Sequence, residues 1–139
     1  MRALAEAVYT VSYLEWLLLG DLPKLSASIP GFSIEELSRD TMGKVASETR
    51  AAISKTGDSA EKAWLSVAAD ALVAVVRPRN SVLHARPASS SSGHQTLFRF
   101  AAARGKESHE SHEITETFLL DLKALACEHI TKVNAVRLS

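Results

Sequence analysis

Residues 58–76, DSAEKAWLSVAADALVAVV, decide the fold because they have the pattern of one long amphipathic helix. Asp58 and Glu61 have the spacing of a capping box, in which two side chains satisfy free amide groups at a helix start. The stretch therefore predicts a central helix that packs against other helices. Apolar residues recur at steps of three and four and mark its expected buried side: Leu65, Ala68, Leu72, Val75 and Val76.

The chain before this stretch predicts two more helices. Residues 3–19 carry an apolar face, and they are followed by a connector with Pro23 and Pro30 that cannot be helical throughout. Residues 33–36, SIEE, form a second capping box, so we expect a helix from there to about Lys55. The apolar face of the first helix consists of Leu4, Val8, Val11, Leu14 and Leu18.

The chain after the central helix predicts less regular structure and then a final helix. Pro78 lacks an amide proton, so we expect it to kink or restart the helix, with a further short helix over residues 79–86. Residues 95–100 alternate weakly and predict a short strand or hairpin with its turn at residues 105–107. A final helix is expected from about residue 115 to residue 136. Its predicted core residues are Phe118, Leu122, Leu125, Ile130 and Val133.

These patterns together predict a mainly α fold. We expect one domain over residues 1–139, a helical bundle of four main helices with a short helix and a small β-hairpin before the last helix. The composition, 46% hydrophobic and 23% charged residues, is ordinary for a globular domain of this length. No stretch has the length of a membrane span or the features of a signal peptide, so a cytoplasmic protein with no membrane partner is expected.

Residues 75–86, VVRPRNSVLHAR, are the segment that indicates a chemistry. Arg79 offers a permanently charged, planar group that holds phosphate oxygens. His84, about a turn and a half further along, is expected on roughly the same helix side, and histidine gives or takes a proton near neutral pH. Cleavage of RNA by its own 2′-hydroxyl needs an acid, a base and a cation, and it needs no metal or other cofactor.

The same residues resemble the HEPN superfamily of helical ribonucleases and RNA-associated domains. The family motif is an arginine, usually a polar residue such as asparagine, and a histidine after four to six intervening residues, which residues 79–84, RNSVLH, fit. The resemblance implies that Arg79 and His84 are catalytic, that Asn80 orients the histidine, and that two copies form a homodimer around one cleft. Toxins of this family that pair with a nucleotidyltransferase antitoxin often carry tyrosine two residues after the histidine, where this chain has Arg86.

The charge distribution favours RNA near this motif. The formal net charge is zero, so attraction must come from a local cluster. Between residues 77 and 106 there are six basic residues and no acidic one, which favours the approach of a phosphate backbone. The further RNA contacts expected from this segment are Arg77, Arg86 and Arg99. Phe98 and Phe100 are aromatic groups that stack on bases or bury in the core.

Several residues have a structural alternative to a functional role. Arg79 and His84 fit a purely structural pair at a helix junction, and the chain then fits a non-catalytic module that binds RNA, nucleotide or protein. Residues 109–113, HESHE, with His94 offer a metal-site alternative, but they lack a recognised ligand pattern and fit a solvated turn. Four other residues are expected in structural positions: Cys127 and His129 in the core, and Trp16 and Trp64 in the core or a dimer contact.

Overall fold

The computed structural model describes residues 2–26, 28–102 and 109–139, with backbone only at residues 100–102 and 109–111. The expected mainly helical fold with a small antiparallel sheet before the last helix is confirmed. No helix in the described ranges is long and apolar enough to cross a bilayer. The elements are α1 (Arg2–Asp21), α2 (Ile34–Leu37), α3 (Met42–Ala52), α4 (Ser59–Leu83), β1 (Arg86–Ser89), β2 (Gln95–Ala102), β3 (His109–Ile114) and α5 (Glu116–Ala135), with 3-10 turns at Leu22–Lys24 and Ile53–Lys55.

The predicted helix starts are confirmed by side-chain caps. The Ser33 hydroxyl accepts from the amide of Glu36 at the start of α2. The Asp58 carboxylate accepts from the amide of Glu61 at the start of α4, at 2.9 Å. Thr115 caps α5 in the same way. These caps set where each helix begins, because the first amides of a helix have no partner within it.

The single second helix expected from residue 33 to Lys55 is wrong, because the structure divides it. α2 ends at Leu37, and α3 begins only after Thr41. The Thr41 hydroxyl accepts from the amide of Lys44 at 3.3 Å, so a second N-cap lies inside the stretch that the pattern predicted as continuous. The last turn before Lys55 is 3-10 rather than α.

The short helix expected over residues 79–86 is also wrong. α4 continues through Pro78 to Leu83 without restarting, and Arg86 already belongs to β1. A proline inside a helix removes one backbone hydrogen bond, but α4 is long and packed on its neighbours, so the remaining hydrogen bonds and contacts keep it helical past Pro78. Pro87 lies in β1, an edge strand of the sheet, where a missing amide donor is tolerated.

The predicted hairpin is part of a three-stranded antiparallel sheet in the order β1-β2-β3. β2 confirms the strand expected at residues 95–100, whereas the solvated turn expected at residues 109–113 is wrong because these residues form β3. Leu97 of β2 lies opposite Ile114 of β3, and Ile114 is buried against the helices. The turn predicted at residues 105–107 lies outside the described residues.

The core lies between α1, α4 and α5, with α3 packed on the other side of α4. Trp64 and His129 are buried as expected, although His129 Nδ1 has no hydrogen-bond partner among the described residues. The burial expected for Cys127 is wrong: the buried side of α5 contains its neighbour Ala126, and one residue further around the helix the cysteine is exposed. Val8 and Trp16 of α1 are exposed. The predicted core residues that are buried are Val11, Leu14, Leu18, Leu65, Ala68, Leu72, Val75, Leu122 and Val133.

Two buried carboxylates join the helices at the end of the bundle where α1 ends and α4 begins. Asp21, 1% exposed, accepts two hydrogen bonds from the Arg137 guanidinium, both at 3.0 Å. Glu61, 5% exposed, accepts from the Thr56 hydroxyl and from the Ser26 amide. We call this the connector end, and the opposite end, with residues 79–84 and the sheet, the sheet end.

Candidate functional site

The sheet end carries the Arg-Asn-His motif on the last turn of α4. Arg79 and Asn80 are in regular helix, and His84 is the first residue beyond it. The His84 amide donates to the Asn80 carbonyl at 3.0 Å, and the Ala85 amide donates to the Val82 carbonyl at 3.2 Å. The backbone of all three motif residues is therefore held by the helix and its terminal hydrogen bonds.

Arg79 is half-buried and lies on the inner side of α4. Its side chain lines a narrow cleft of about 70 Å³ between α1, α4 and α5. The long apolar stem of an arginine packs well on such walls while its charged group stays at the opening. The guanidinium Nη1 donates to Asn80 Oδ1 at 3.0 Å. The other residues that line the cleft are Val8, Val11, Ser12, Val82, Leu83 and Leu122.

His84 is exposed and does not line that cleft. Each residue of an α-helix turns by about 100°, so five residues place Arg79 and His84 about 140° apart around the axis. The expectation that both side chains share roughly one side of the helix is therefore corrected. A single α4 presents the arginine inward and the histidine outward.

Asn80 lies between the two other motif residues. Because it precedes His84 by four positions, the two share one side of the helix, and Arg77 three positions earlier belongs to the same exposed side. The Asn80 side-chain oxygen, Oδ1, accepts a hydrogen bond from the Arg79 guanidinium, so the asparagine side chain links the inward arginine to this outer side. The outer side thus comprises Arg77, Asn80 and His84. Arg79 is connected to this side by its hydrogen bond to the Asn80 side chain.

Residues 77–106 contain no acidic residue, but the sheet brings an acidic residue from β3 alongside them. The sheet aligns Arg86 of β1 with Phe98 of β2, and Phe98 with Glu113 of β3. Glu113 accepts from the Thr96 hydroxyl at 2.6 Å on the same sheet. Glu113 is thus two strands from Arg86 in the same row of the sheet, and its carboxylate weakens the attraction of this part of the sheet for phosphate. Two further bases of the stretch, Arg104 and Lys106, lie outside the described residues.

Arg99 and the histidines of the sheet lie away from the helix motif in the chain. Arg99 pairs in register with His112 on β3, and the His112 ring lies 6.0 Å from the ring of Phe118. The metal-site alternative falls partly on residues 109–111, whose side chains are not among those described. Within the described ranges, no three metal-ligating side chains come together, and His94 is exposed in the turn before β2.

A group of exposed aromatic residues on α1 lies outside the predicted motif. Tyr9, Tyr13 and Trp16 project from α1 with exposed fractions of 72%, 48% and 62%. Their spacing of four and three residues places them on one side of the helix, opposite the predicted apolar face. The spacing in the sequence could have shown that the three residues share one side of the helix, but aromatic residues on a helix are expected to be buried, so their exposure was not predicted.

Comparison with protein-family models, with curated proteins and with solved structures found no match for this chain. The resemblance to the HEPN superfamily therefore depends on residues 79–84.

Proposed function

We propose that this chain is a metal-independent endoribonuclease of the HEPN type. The observation that carries the proposal is the end of α4, where a half-buried arginine, an asparagine bonded to it and an exposed histidine follow one another. Neither Arg79 nor His84 is ion-paired with a carboxylate of the described residues; the Arg79 guanidinium binds the neutral Asn80 side chain and His84 is exposed, so both side chains can reach a substrate. Three other arginines, by contrast, each bind a carboxylate: Arg2, Arg50 and Arg137.

In the proposed reaction the ribose 2′-oxygen attacks the adjacent phosphorus. The 2′-hydroxyl loses its proton to a base, the bond from phosphorus to the 5′-oxygen breaks, and that oxygen takes a proton from an acid. The products are a 2′,3′-cyclic phosphate and a 5′-hydroxyl. Arg79 holds the phosphate oxygens, His84 acts as acid or base, and Asn80 positions the other two groups.

The proposal includes a homodimer. A histidine that acts as the base cannot be the acid in the same step, and a second copy supplies the other imidazole. Arg77 is the best placed of the further RNA contacts, because it shares the exposed side of His84. Arg86 and Arg99 are weaker candidates, since Arg86 faces the Glu113 region of the sheet and Arg99 lies opposite His112.

The test is cleavage of structured and unstructured RNA by the purified chain in EDTA, with the ends of the products identified by mass. We expect cyclic phosphate ends, and we expect Arg79→Ala and His84→Ala each to lower the rate at least about 100-fold with unchanged helicity. Arg39→Ala and His94→Ala are matched controls at exposed positions and should cut normally. Unchanged cleavage by both site variants would remove the proposal.

A non-catalytic binding module is the second candidate, and the divergence of about 140° between Arg79 and His84 favours it. A single protomer of this geometry holds a phosphate with one group at a time. In this case RNA, nucleotide or a protein partner would bind the same surface. Salt-dependent RNA binding that Arg77→Ala and Arg79→Ala weaken, with no cleavage of any RNA, would identify it.

For the ribonuclease we propose a cytoplasmic setting in a toxin–antitoxin or phage-defence system, since cellular RNA is the substrate and uncontrolled cleavage is harmful. A partner protein would then restrain the enzyme as an antitoxin. Arg86 stands where family members paired with a nucleotidyltransferase often have tyrosine, so an antitoxin of another kind is favoured. Co-purification of a restraining protein from the native cell, lost on deletion of its gene, tests this setting.

A further inference from the structure

Three large aromatic side chains form a row along the exposed side of α1, and we call them the aromatic stripe. Tyr9, Tyr13 and Trp16 are 72%, 48% and 62% exposed, so a ligand can reach their rings. At 1.5 Å per residue they follow one another at about 6 and 4.5 Å along the helix axis. Successive nucleotides of one strand in a B-form duplex are only about 3.4 Å apart. Each ring therefore has room for one base of a strand that is not part of a duplex.

A positively charged cluster lies at the first end of the aromatic stripe. Arg2 precedes Tyr9 by seven residues, which is two helical turns, so it shares the same side of α1, and its side chain is 92% exposed. Its Nε binds Glu6 at 2.8 Å, and the other carboxylate oxygen of Glu6 binds Lys123 of α5 at 2.9 Å. Two cations thus share one carboxylate, which leaves one positive charge in excess. An exposed ion pair such as Arg2–Glu6 is weak, so Arg2 remains available to a phosphate.

A second cluster of the same composition lies at the other end. Asp21, the last residue of α1, binds Arg137 at 3.0 Å and Lys24 at 3.1 Å, so one positive charge is again in excess. Arg137 lies close enough to Tyr13 to interact with it electrostatically. Glu15, the remaining carboxylate of α1, is about 100° around the helix from the nearest residue of the aromatic stripe. Aromatic rings between two cation clusters are the features of a surface that binds single-stranded nucleic acid.

The aromatic stripe also borders the cleft that Arg79 lines. Ser12 of α1 belongs to the wall of that cleft. It lies three residues after Tyr9 and four residues before Trp16, so it is the neighbour of both on the surface of the helix. A strand bound on the aromatic stripe therefore passes beside the arginine of the proposed site.

We propose that the aromatic stripe binds single-stranded RNA, with bases stacked on the rings and phosphates at the two cation clusters. The inference rests on the proposed action on RNA, and it names the substrate class as a strand outside a duplex, held beside Arg79. Paired bases stack on one another and present no open face to the rings, so duplex RNA is a poor ligand. An apolar protein surface offers no negative charge to the two clusters, whereas a phosphate backbone does.

The test is titration of the full chain with a single-stranded RNA of about ten nucleotides, followed by tryptophan fluorescence. The chain carries His84→Ala so that the RNA stays intact. Trp16 is exposed and Trp64 is 1% exposed, so quenching on binding reports a base stacked on Trp16. We expect saturable quenching, and we expect a duplex of the same sequence to compete at least about 10-fold more weakly. Absence of binding, or equal binding of single strand and duplex, overturns the proposal.

Substitutions at Trp16, measured with labelled RNA by fluorescence anisotropy, test the stacking. Trp16→Ala should weaken binding at least about 5-fold, the lower end of the effect of removing one stacking group, while Trp16→Phe keeps an aromatic ring and should retain most of the affinity. Val73→Ala is the control, because it shortens an exposed apolar side chain on another helix and should bind normally. Circular dichroism checks that each variant is folded. A folded Trp16→Ala variant that binds normally overturns the proposal and leaves the aromatic stripe to a protein partner.

Substitution of Arg2 tests the phosphate contact. Arg2→Ala should lower the slope of log affinity against log salt concentration by about 0.7, the value for one phosphate contact on a single strand. Trp16→Ala should leave this slope unchanged, because stacking releases no counterions. An unchanged slope for Arg2→Ala would overturn the phosphate contact at this end of the aromatic stripe.

These outcomes are distinct from failure of the ribonuclease proposal. If the chain binds single-stranded RNA through Trp16 but never cleaves RNA, the aromatic stripe stands and the enzyme is removed. If the chain cleaves RNA, Trp16→Ala should raise the KM for a single-stranded substrate. Cleavage with the same KM in Trp16→Ala removes the aromatic stripe and leaves the enzyme.

Discussion

The two ends of the helical bundle use polar residues in opposite ways. At the connector end, the carboxylates of Asp21 and Glu61 are buried and bonded to arginine, threonine and backbone groups. At the sheet end, the Arg79 side chain has one hydrogen bond within the described part of the chain, to Asn80, and His84 is exposed. Both ends are built on the same helix, α4, so the contrast does not arise from helix type or length.

The contrast indicates what each end is for. Buried, satisfied polar groups hold chain segments that are far apart in sequence, as Arg137 and Asp21 do across 116 positions. Polar groups left open to solvent on a rigid helix contribute little to stability and remain available for a ligand. The connector end is thus the structural end, and the sheet end is the candidate functional end.

The largest expected effect on stability comes from Asp21→Asn. This change keeps the shape of the side chain but removes the charge that binds Arg137 at 3.0 Å twice. Loss of buried charge-assisted hydrogen bonds lowers the free energy of unfolding by about 2 kcal/mol, which urea unfolding measures. The corresponding variant at the sheet end is Asn80→Ala, which should change the free energy of unfolding by less than about 0.5 kcal/mol. Equal losses at the two ends would remove the contrast.

A smaller effect is expected from Glu61→Gln. The carboxylate accepts from the Thr56 hydroxyl and the Ser26 amide, and an amide side chain turns a donor toward one of them. The melting temperature should fall by less than for Asp21→Asn, and hydrogen exchange at the Ser26 amide should speed up. Glu128→Gln is the matched control, because that exposed glutamate binds only Lys132 among the described residues and should leave the melting temperature unchanged.

The sequence predicted the helices where local chemistry decides them. Ser33, Asp58 and Thr115 cap helices because a short side-chain oxygen reaches free amides nearby, and this depends on a few adjacent residues. The break before Thr41 was missed although the same chemistry causes it. No glutamate follows Thr41 at the capping-box position, and the apolar spacing continued across the break.

Strands and surfaces could not be predicted in the same way. β3 contains histidine and glutamate and has little strand propensity of its own, and its register with β2 joins residues well apart in the chain. Such charged edge strands protect a sheet from pairing with other molecules. The motif at residues 79–84 was found from the sequence. The directions of the Arg79 and His84 side chains depend on where α4 ends, and Pro78 suggested that the helix ends or restarts at residue 78, whereas it continues to Leu83.

The smallest expected effect is the change in melting temperature that His129 causes between pH 7 and 5, which is separate from the change that the buried carboxylates cause below pH 4. Partners hold the pKa of Asp21 below its usual value, chiefly through the Arg137 hydrogen bonds, and the pKa of Glu61 likewise through Thr56. A lowered acid pKa stabilises the fold above the unfolded value near 4, and this stability is lost as the pH falls through the folded pKa.

Burial lowers the pKa of His129, so the unfolded chain takes up that proton first and stability declines as the pH drops below about 6.5. Melting temperatures should therefore fall slightly between pH 7 and 5 and steeply below 4. His129→Gln, which cannot titrate, should abolish the first decline alone; a variant that keeps it would show that another group of the chain causes it.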